Sequence, residues 1–218
     1  MEMITQNILT IMVLQPLLVA ILLMCFSRFI SNKTAWVVGL ASATFSLLMA
    51  AQMYLMFDKD LTAFQMVTRV PWIESLGLEY FVGIDGISIY FIMLTAVLVP
   101  ICLAISIQSI KKRVIEFISL FLLMQAFVVG VFIALDIFLF YLFFEAVLIP
   151  MFLLIGIFGS ENRIYAAFKF FLYTFLGSVL MLIALIYILL AANSSSIPEL
   201  YTLLPKHSQA VQNMLFLA

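Results

Sequence analysis

Polar residues in this chain gather into short breaks between long apolar runs, rather than recurring at the spacing of an amphipathic helix or strand. The apolar runs cover 8–26, 35–57, 86–107, 114–135, 137–158 and 164–192. A helix needs about 20 residues to cross the roughly 30 Å hydrocarbon layer, so the pattern predicts six transmembrane helices. The breaks hold Ser31-Asn32-Lys33, then 58–80 with Pro71, Lys111-Lys112-Arg113, Ser160-Glu161-Asn162-Arg163, and 193–209. Residues 114–158 form a nearly unbroken apolar stretch of 45 residues, twice one span, with Asp136 near its middle. Asp136 is therefore expected to mark a tight hairpin turn in the headgroup layer. After Val211 the sequence turns apolar again and stops at Ala218, which predicts the start of a seventh helix in a piece of a longer protein.

Composition agrees with lipid as the solvent. Apolar residues make up 67% and charged residues 10%, where a soluble domain carries roughly a quarter charged. The net charge of −1 is spread over small groups, which excludes a nucleic-acid surface. Cys25 and Cys102 both fall inside spans, where a thiol acts as a small apolar group, and His207 is the sole histidine, so no metal site is expected. The first seven residues lack the basic start and cleavage site of a signal peptide, so the first run should persist as a helix. Lys and Arg accumulate on cytoplasmic loops. Arg28, Lys33, Lys111, Lys112, Arg113 and Arg163 lie in the odd-numbered loops and only Lys59, Arg69 and Lys206 in the even ones, which places the N-terminus outside.

Glu145 is the candidate for chemistry. It lies eight positions into the fifth span, in Phe143-Phe144-Glu145-Ala146-Val147, far from either end. An acid at such depth costs roughly 3 kcal/mol to insert, so acids there face a bundle interior or a water cavity and mark ion or proton paths. Low-dielectric surroundings favour the neutral form of a carboxyl and a nearby cation the ionised form; moving one positive charge therefore switches such a group, as a pump requires. The bland alternative is a neutral carboxylic acid bridging two helices. Pro150 cannot donate to the carbonyl of Ala146, which leaves an acceptor beside Glu145 or simply a kink.

Lys169, in Ala166-Ala167-Phe168-Lys169-Phe170, is either a snorkelling residue or a relay in a buried proton path. From helical rise, Glu145 lies about 20 Å and Lys169 about 8 Å above the inner ends of their helices, so no direct salt bridge is expected. Asp85 and Gly86 open the third span, Asp85 as a helix-start acid and Gly86 as a tight turn. Glu116 beside Lys111-Lys112-Arg113 is either an N-terminal charge of the fourth span or the inner end of a hydrophilic path, and the first is the preferred reading.

Three segments carry a family likeness: Val82-Gly83-Ile84-Asp85-Gly86-Ile87-Ser88, Phe143-Phe144-Glu145-Ala146-Val147-Leu148-Ile149-Pro150-Met151-Phe152, and Ala166-Ala167-Phe168-Lys169-Phe170-Phe171-Leu172-Tyr173-Thr174. In order and spacing they resemble the subunit M (chain 4) family of proton-translocating NADH:quinone oxidoreductase, respiratory complex I, over about residues 73–190. The resemblance implies an all-α, antiporter-like membrane fold of about fourteen helices with two inverted five-helix repeats. Residues 1–113 would form an N-terminal three-helix region and 114–218 the first part of the first repeat. It also implies that Glu145 works with a lysine on a broken seventh helix beyond Ala218. In such a subunit no flavin, iron–sulfur cluster or nucleotide is bound; NADH, FMN, clusters and quinone belong to other subunits, which would be its partners in a bacterial plasma membrane or mitochondrial inner membrane. The competing reading is a subunit of a multi-subunit cation/proton antiporter, which shares the Asp85 and Glu145 regions.

Overall fold

The computed structural model describes residues 7–73, 78–203 and 209–217; Lys206 and His207 lie outside them. Six long helices form where the apolar runs predict them: α1 (Ile8–Cys25), α2 (Asn32–Met56), α3 (Ser88–Ser109), α4 (Val114–Ile133), α5 (Ile137–Phe158) and α6 (Arg163–Ala192). Each is long and apolar enough to cross a bilayer. The chain is a multi-pass membrane protein whose spans are all helical. Two shorter helices follow, α7 (Ile197–Leu203) and α8 (Gln209–Leu217).

Local chemistry sets the helix limits. Ser31 caps α2 by accepting from the Thr34 N–H at 3.2 Å. Arg113 turns into α4 through a left-handed φ of 54°, and α6 ends at Asn193 with φ 51°, a conformation that asparagine tolerates.

One element was absent from the hydropathy reading. The break at 58–80 contains an antiparallel hairpin, β1 (Gln65–Ile73) and β2 (Leu78–Ile84), in which Thr68 pairs Val82 and Val70 pairs Tyr80. Its register is held by an Arg69–Glu79 ion pair and by Arg69 standing over the Phe81 ring, 4.9 Å from its centroid. The hairpin caps the outer end of the bundle: Tyr80 bonds Thr10 of α1 at 3.0 Å, and Leu135 donates its N–H to the Phe81 carbonyl at 2.9 Å.

The turn expected at Asp136 is present, but its setting differs from the expectation. Asp136 is only 1% exposed, so it does not sit solvated among headgroups. The three-residue connection between α4 and α5 is clamped between β2 and the start of α7. Ile137 donates to the Ser195 carbonyl, and Ile197 donates to Leu135, each at 2.9 Å. The Asp136 carboxylate accepts from the N–H groups of Phe138 and Leu139 at 2.9 and 3.0 Å, and from the Ser195 hydroxyl. It is thus the N-cap of α5 as well as a tie to the chain beyond α6.

α4 is the central post, packed against α1, α2, α3 and α5. Its apolar window is 61% buried, against 11% for α6, which leaves α6 at the edge with a long open face. Packing is continuous across residue 113. An outer core joins Met12, Met53, Ile84, Ile92, Val129 and Ile133, and an inner core joins Leu23, Ala35, Leu103, Ile118 and Leu122.

Close approach of α4 and α5 depends on Gly130, where a Cβ would meet three ring carbons of Phe143 at 2.5–2.7 Å. Gly130→Ala is therefore expected to destabilise the protein by about 1–3 kcal/mol, as overpacked cores do. Gly156→Ala, whose Cβ would meet nothing nearer than 3.6 Å, should be near neutral. Melting of the two variants in detergent checks this, and equal stabilities would contradict the close approach.

The hairpin, the Asp136 turn and the Ser195–Ile197 segment share one end of the bundle with the start of α1. With the basic loops at the opposite end, that end is expected outside. Thiol reagents that cannot cross membranes should label Lys59→Cys in intact cells and leave Lys112→Cys untouched; the reverse pattern would refute the orientation.

Candidate functional site

Position along α5 decides what Glu145 faces. Phe143 points at α4 through its contact with Gly130, and two further residues turn the helix by about 200°. Glu145 therefore faces away from α4 and towards the α6 side. Tyr141, one turn earlier on the same face, interacts through its hydroxyl with both the Glu145 carboxylate and Ser178 of α6. Glu145 Oε1 is buried without a hydrogen-bond partner among the described residues. The site is thus a carboxyl, a phenol and a hydroxyl, mid-way along two adjacent helices, with acceptor capacity left unspent. Such a group can take up a proton or a water molecule at Oε1 without breaking an existing bond.

Pro150 lies within an unbroken α5 and is buried, so the helix carries it at the loss of the Ala146 bond. Lys169 is placed elsewhere. It is exposed on the second turn of α6, with its ammonium 5.8 Å from the centroid of the Tyr165 ring. The ion pairs among the described residues are Arg69 with Glu79 and Glu199, and Arg113 with Glu116; none joins Glu145 to Lys169.

Asp85 organises the first turn of α3. Its carboxylate accepts from the Ile87 and Ser88 N–H groups at 3.1 and 2.7 Å, while Ser88 Oγ accepts from the Asp85 N–H at 2.9 Å. Partial burial opposes ionisation, but the hydrogen bonds from Ser88 and Ile87 outweigh it and hold the carboxyl below the usual aspartate range. Gly86 sits in the turn, where an added Cβ would meet nothing within 4 Å. Glu116 pairs with Arg113 at 2.5 Å in the first turn of α4. No cluster of three or more His, Cys, Asp or Glu able to hold a metal occurs among the described residues.

Sequence reasoning missed two of the three side chains at the Glu145 site. Tyr141 was legible as the i−4 neighbour of Glu145 on one helix face. Ser178 was not, because its place depends on the register of α6 against α5.

Residues 134–218 match the family model described as NADH:quinone oxidoreductase/Mrp antiporter, TM. NADH-quinone oxidoreductase subunit M of Rhodobacter capsulatus is 43% identical over 98% of this chain and 44% of its own length. The subunit M of Rickettsia felis is 40% identical over 83% of this chain and 38% of its own. A chain of respiratory complex I from Thermus thermophilus superposes with a TM-score of 0.80 at 27% identity, covering 96% of this chain and 42% of that one. A chain of the Mrp complex from Dietzia, at 17% identity and a TM-score of 0.73, shares the fold. The chain spans about two fifths of the length of the curated relatives it matches. By sequence and by fold it belongs to the subunit M (chain 4) family of NADH:quinone oxidoreductase and corresponds to the N-terminal part of those proteins.

Proposed function

We propose that the chain acts as the N-terminal part of the proton-translocating membrane subunit of an NADH:quinone oxidoreductase, with Glu145 as a site that binds and releases a proton. The observation that carries this reading is the buried Glu145 Oε1 without a partner, beside Tyr141 and Ser178, in the middle of an apolar helix. A buried acceptor that no protein donor occupies is open to a proton or a water molecule. One oxygen held ready costs stability and is useful to a proton that comes and goes.

In this reading redox chemistry occurs in other subunits, which hold NADH, FMN, iron–sulfur clusters and quinone, while this chain carries no redox cofactor. Residues 114–218 begin the antiporter-like repeat, and later helices would cover the open faces of α5 and α6 and bring a cation to Glu145. Lys169, exposed on α6, would relay protons on the inner side. The membrane would be a bacterial plasma membrane or the mitochondrial inner membrane, and the partners would be the other membrane subunits.

The fold is shared with the Mrp complex, so a cation/proton antiporter subunit is the alternative. Affinity purification of the intact subunit separates the two. NADH:quinone oxidoreductase activity should co-purify with it, whereas sodium/proton exchange in vesicles without NADH oxidation would favour the antiporter.

A further inference from the structure

A polar layer lies between the two apolar cores of the bundle. Among the fully buried core residues, the outer core on α1 ends at Val13 and the inner core begins at Ala20; on α2 the limits are Met49 and Ala43, and on α4 they are Ala126 and Leu122. Gln15, Ser46 and Gln125 occupy these three gaps. Gln15 Nε2 donates to Ser42 Oγ at 2.8 Å, and Ser46 Oγ donates to Gln15 Oε1 at 3.1 Å, sharing its proton with the Ser42 carbonyl at 3.3 Å. The Ser42 hydroxyl proton and the second N–H of Gln15 are left without an acceptor by these bonds.

Gln125 faces the same layer. On α2 and α4 alike the lower-numbered residues belong to the inner core, so the two helices run in the same direction. Ile118 of α4 lies against Gly39 of α2, where a Cβ would overlap its Cγ2. Seven residues along each helix return to nearly the same face about 10 Å further on. That step carries Gly39 to Ser46 and Ile118 to Gln125. Gln125 is 1% exposed, and neither its Oε1 nor its Nε2 has a partner among the described residues. An unpaired amide deep in a lipid-solvated protein is costly and is ordinarily satisfied by bound water.

We propose that α1, α2 and α4 form a bound-water site at the middle of the membrane, in which water bridges the Gln125 amide to the Gln15–Ser42–Ser46 network. The donors and acceptors match. Water donates to Gln125 Oε1 and accepts from Gln125 Nε2 and from either the Ser42 hydroxyl or the second Gln15 N–H, within the two to four partners a buried water takes. The site holds only amides and hydroxyls, so it suits neutral water rather than a cation. It lies on the opposite side of α4 from Glu145 and does not depend on the role proposed for that residue.

Two measurements on the intact complex test the site. A high-resolution map should show water-sized density within about 2.7–3.2 Å of the Gln125 amide and of Gln15, Ser42 or Ser46. A Gln125 amide turned directly onto Ser46 or onto backbone, with no such density, overturns the proposal. Hydroxyl radicals made by X-ray radiolysis of bound water should oxidise Met49, which is only 7% exposed and lies one turn from Ser46. That labelling should be lost in Gln125→Leu, and in Ser42→Ala should the first variant fail to assemble. Absent labelling in the parent, or unchanged labelling in the assembled variants, also overturns it.

Discussion

Glu145→Gln in the intact subunit is expected to reduce proton pumping coupled to NADH oxidation by about tenfold or more while assembly is kept, since a positioned proton-exchanging group typically contributes 10² or more. Glutamine keeps the shape of the side chain and its place beside Tyr141, but it cannot ionise. Glu145→Asp retains the carboxyl on a shorter stem and should keep part of the activity. A packing role predicts another ranking: the neutral amide would then bridge α5 and α6 as well as the acid, and aspartate, with its shorter reach, would do worse. Pumping in vesicles, measured beside NADH oxidation and an assembly check, separates the two. Full coupled pumping by the Gln variant would falsify the assignment of Glu145 as a proton site.

Asp136→Ala should produce the largest loss of stability among single substitutions at the outer end of the bundle, about 3 kcal/mol. The carboxylate is 1% exposed and accepts two N–H groups of α5 together with the Ser195 hydroxyl. Loss of an N-cap costs about 1 kcal/mol, and loss of a hydrogen bond to a charged group about 1.5–3 kcal/mol. Asp136→Asn keeps an oxygen for the Phe138 and Leu139 N–H groups and should recover more than half of the loss. Thermal melts in detergent or nanodiscs would check both. If the alanine variant melted with the parent, the clamp between α5 and the start of α7 would carry little of the stability.

Chain sequence alone determined the spans, because the cost of exposing backbone polar groups to lipid forces every long apolar run into a helix whatever its neighbours do. It also marked Glu145, since an acid so far from either end of a span is conspicuous in one dimension. The Asp136 turn was legible for the same reason, although its burial was not. What surrounds these residues was decided by tertiary structure. The β1–β2 hairpin has no strong hydropathy signature, and it exists because β2 can bury Val82 and Ile84 on the outer core while bonding the α4–α5 connection. Ser195 reaches Asp136 across 59 positions of sequence. Tyr141 comes between Glu145 and Ser178 only once α5 and α6 have fixed their register. Hydropathy is a property of each segment in its solvent, whereas register is a property of pairs of helices. Register is set here by the contacts of Gly39 with Ile118 and of Gly130 with Phe143, which no single run of sequence contains.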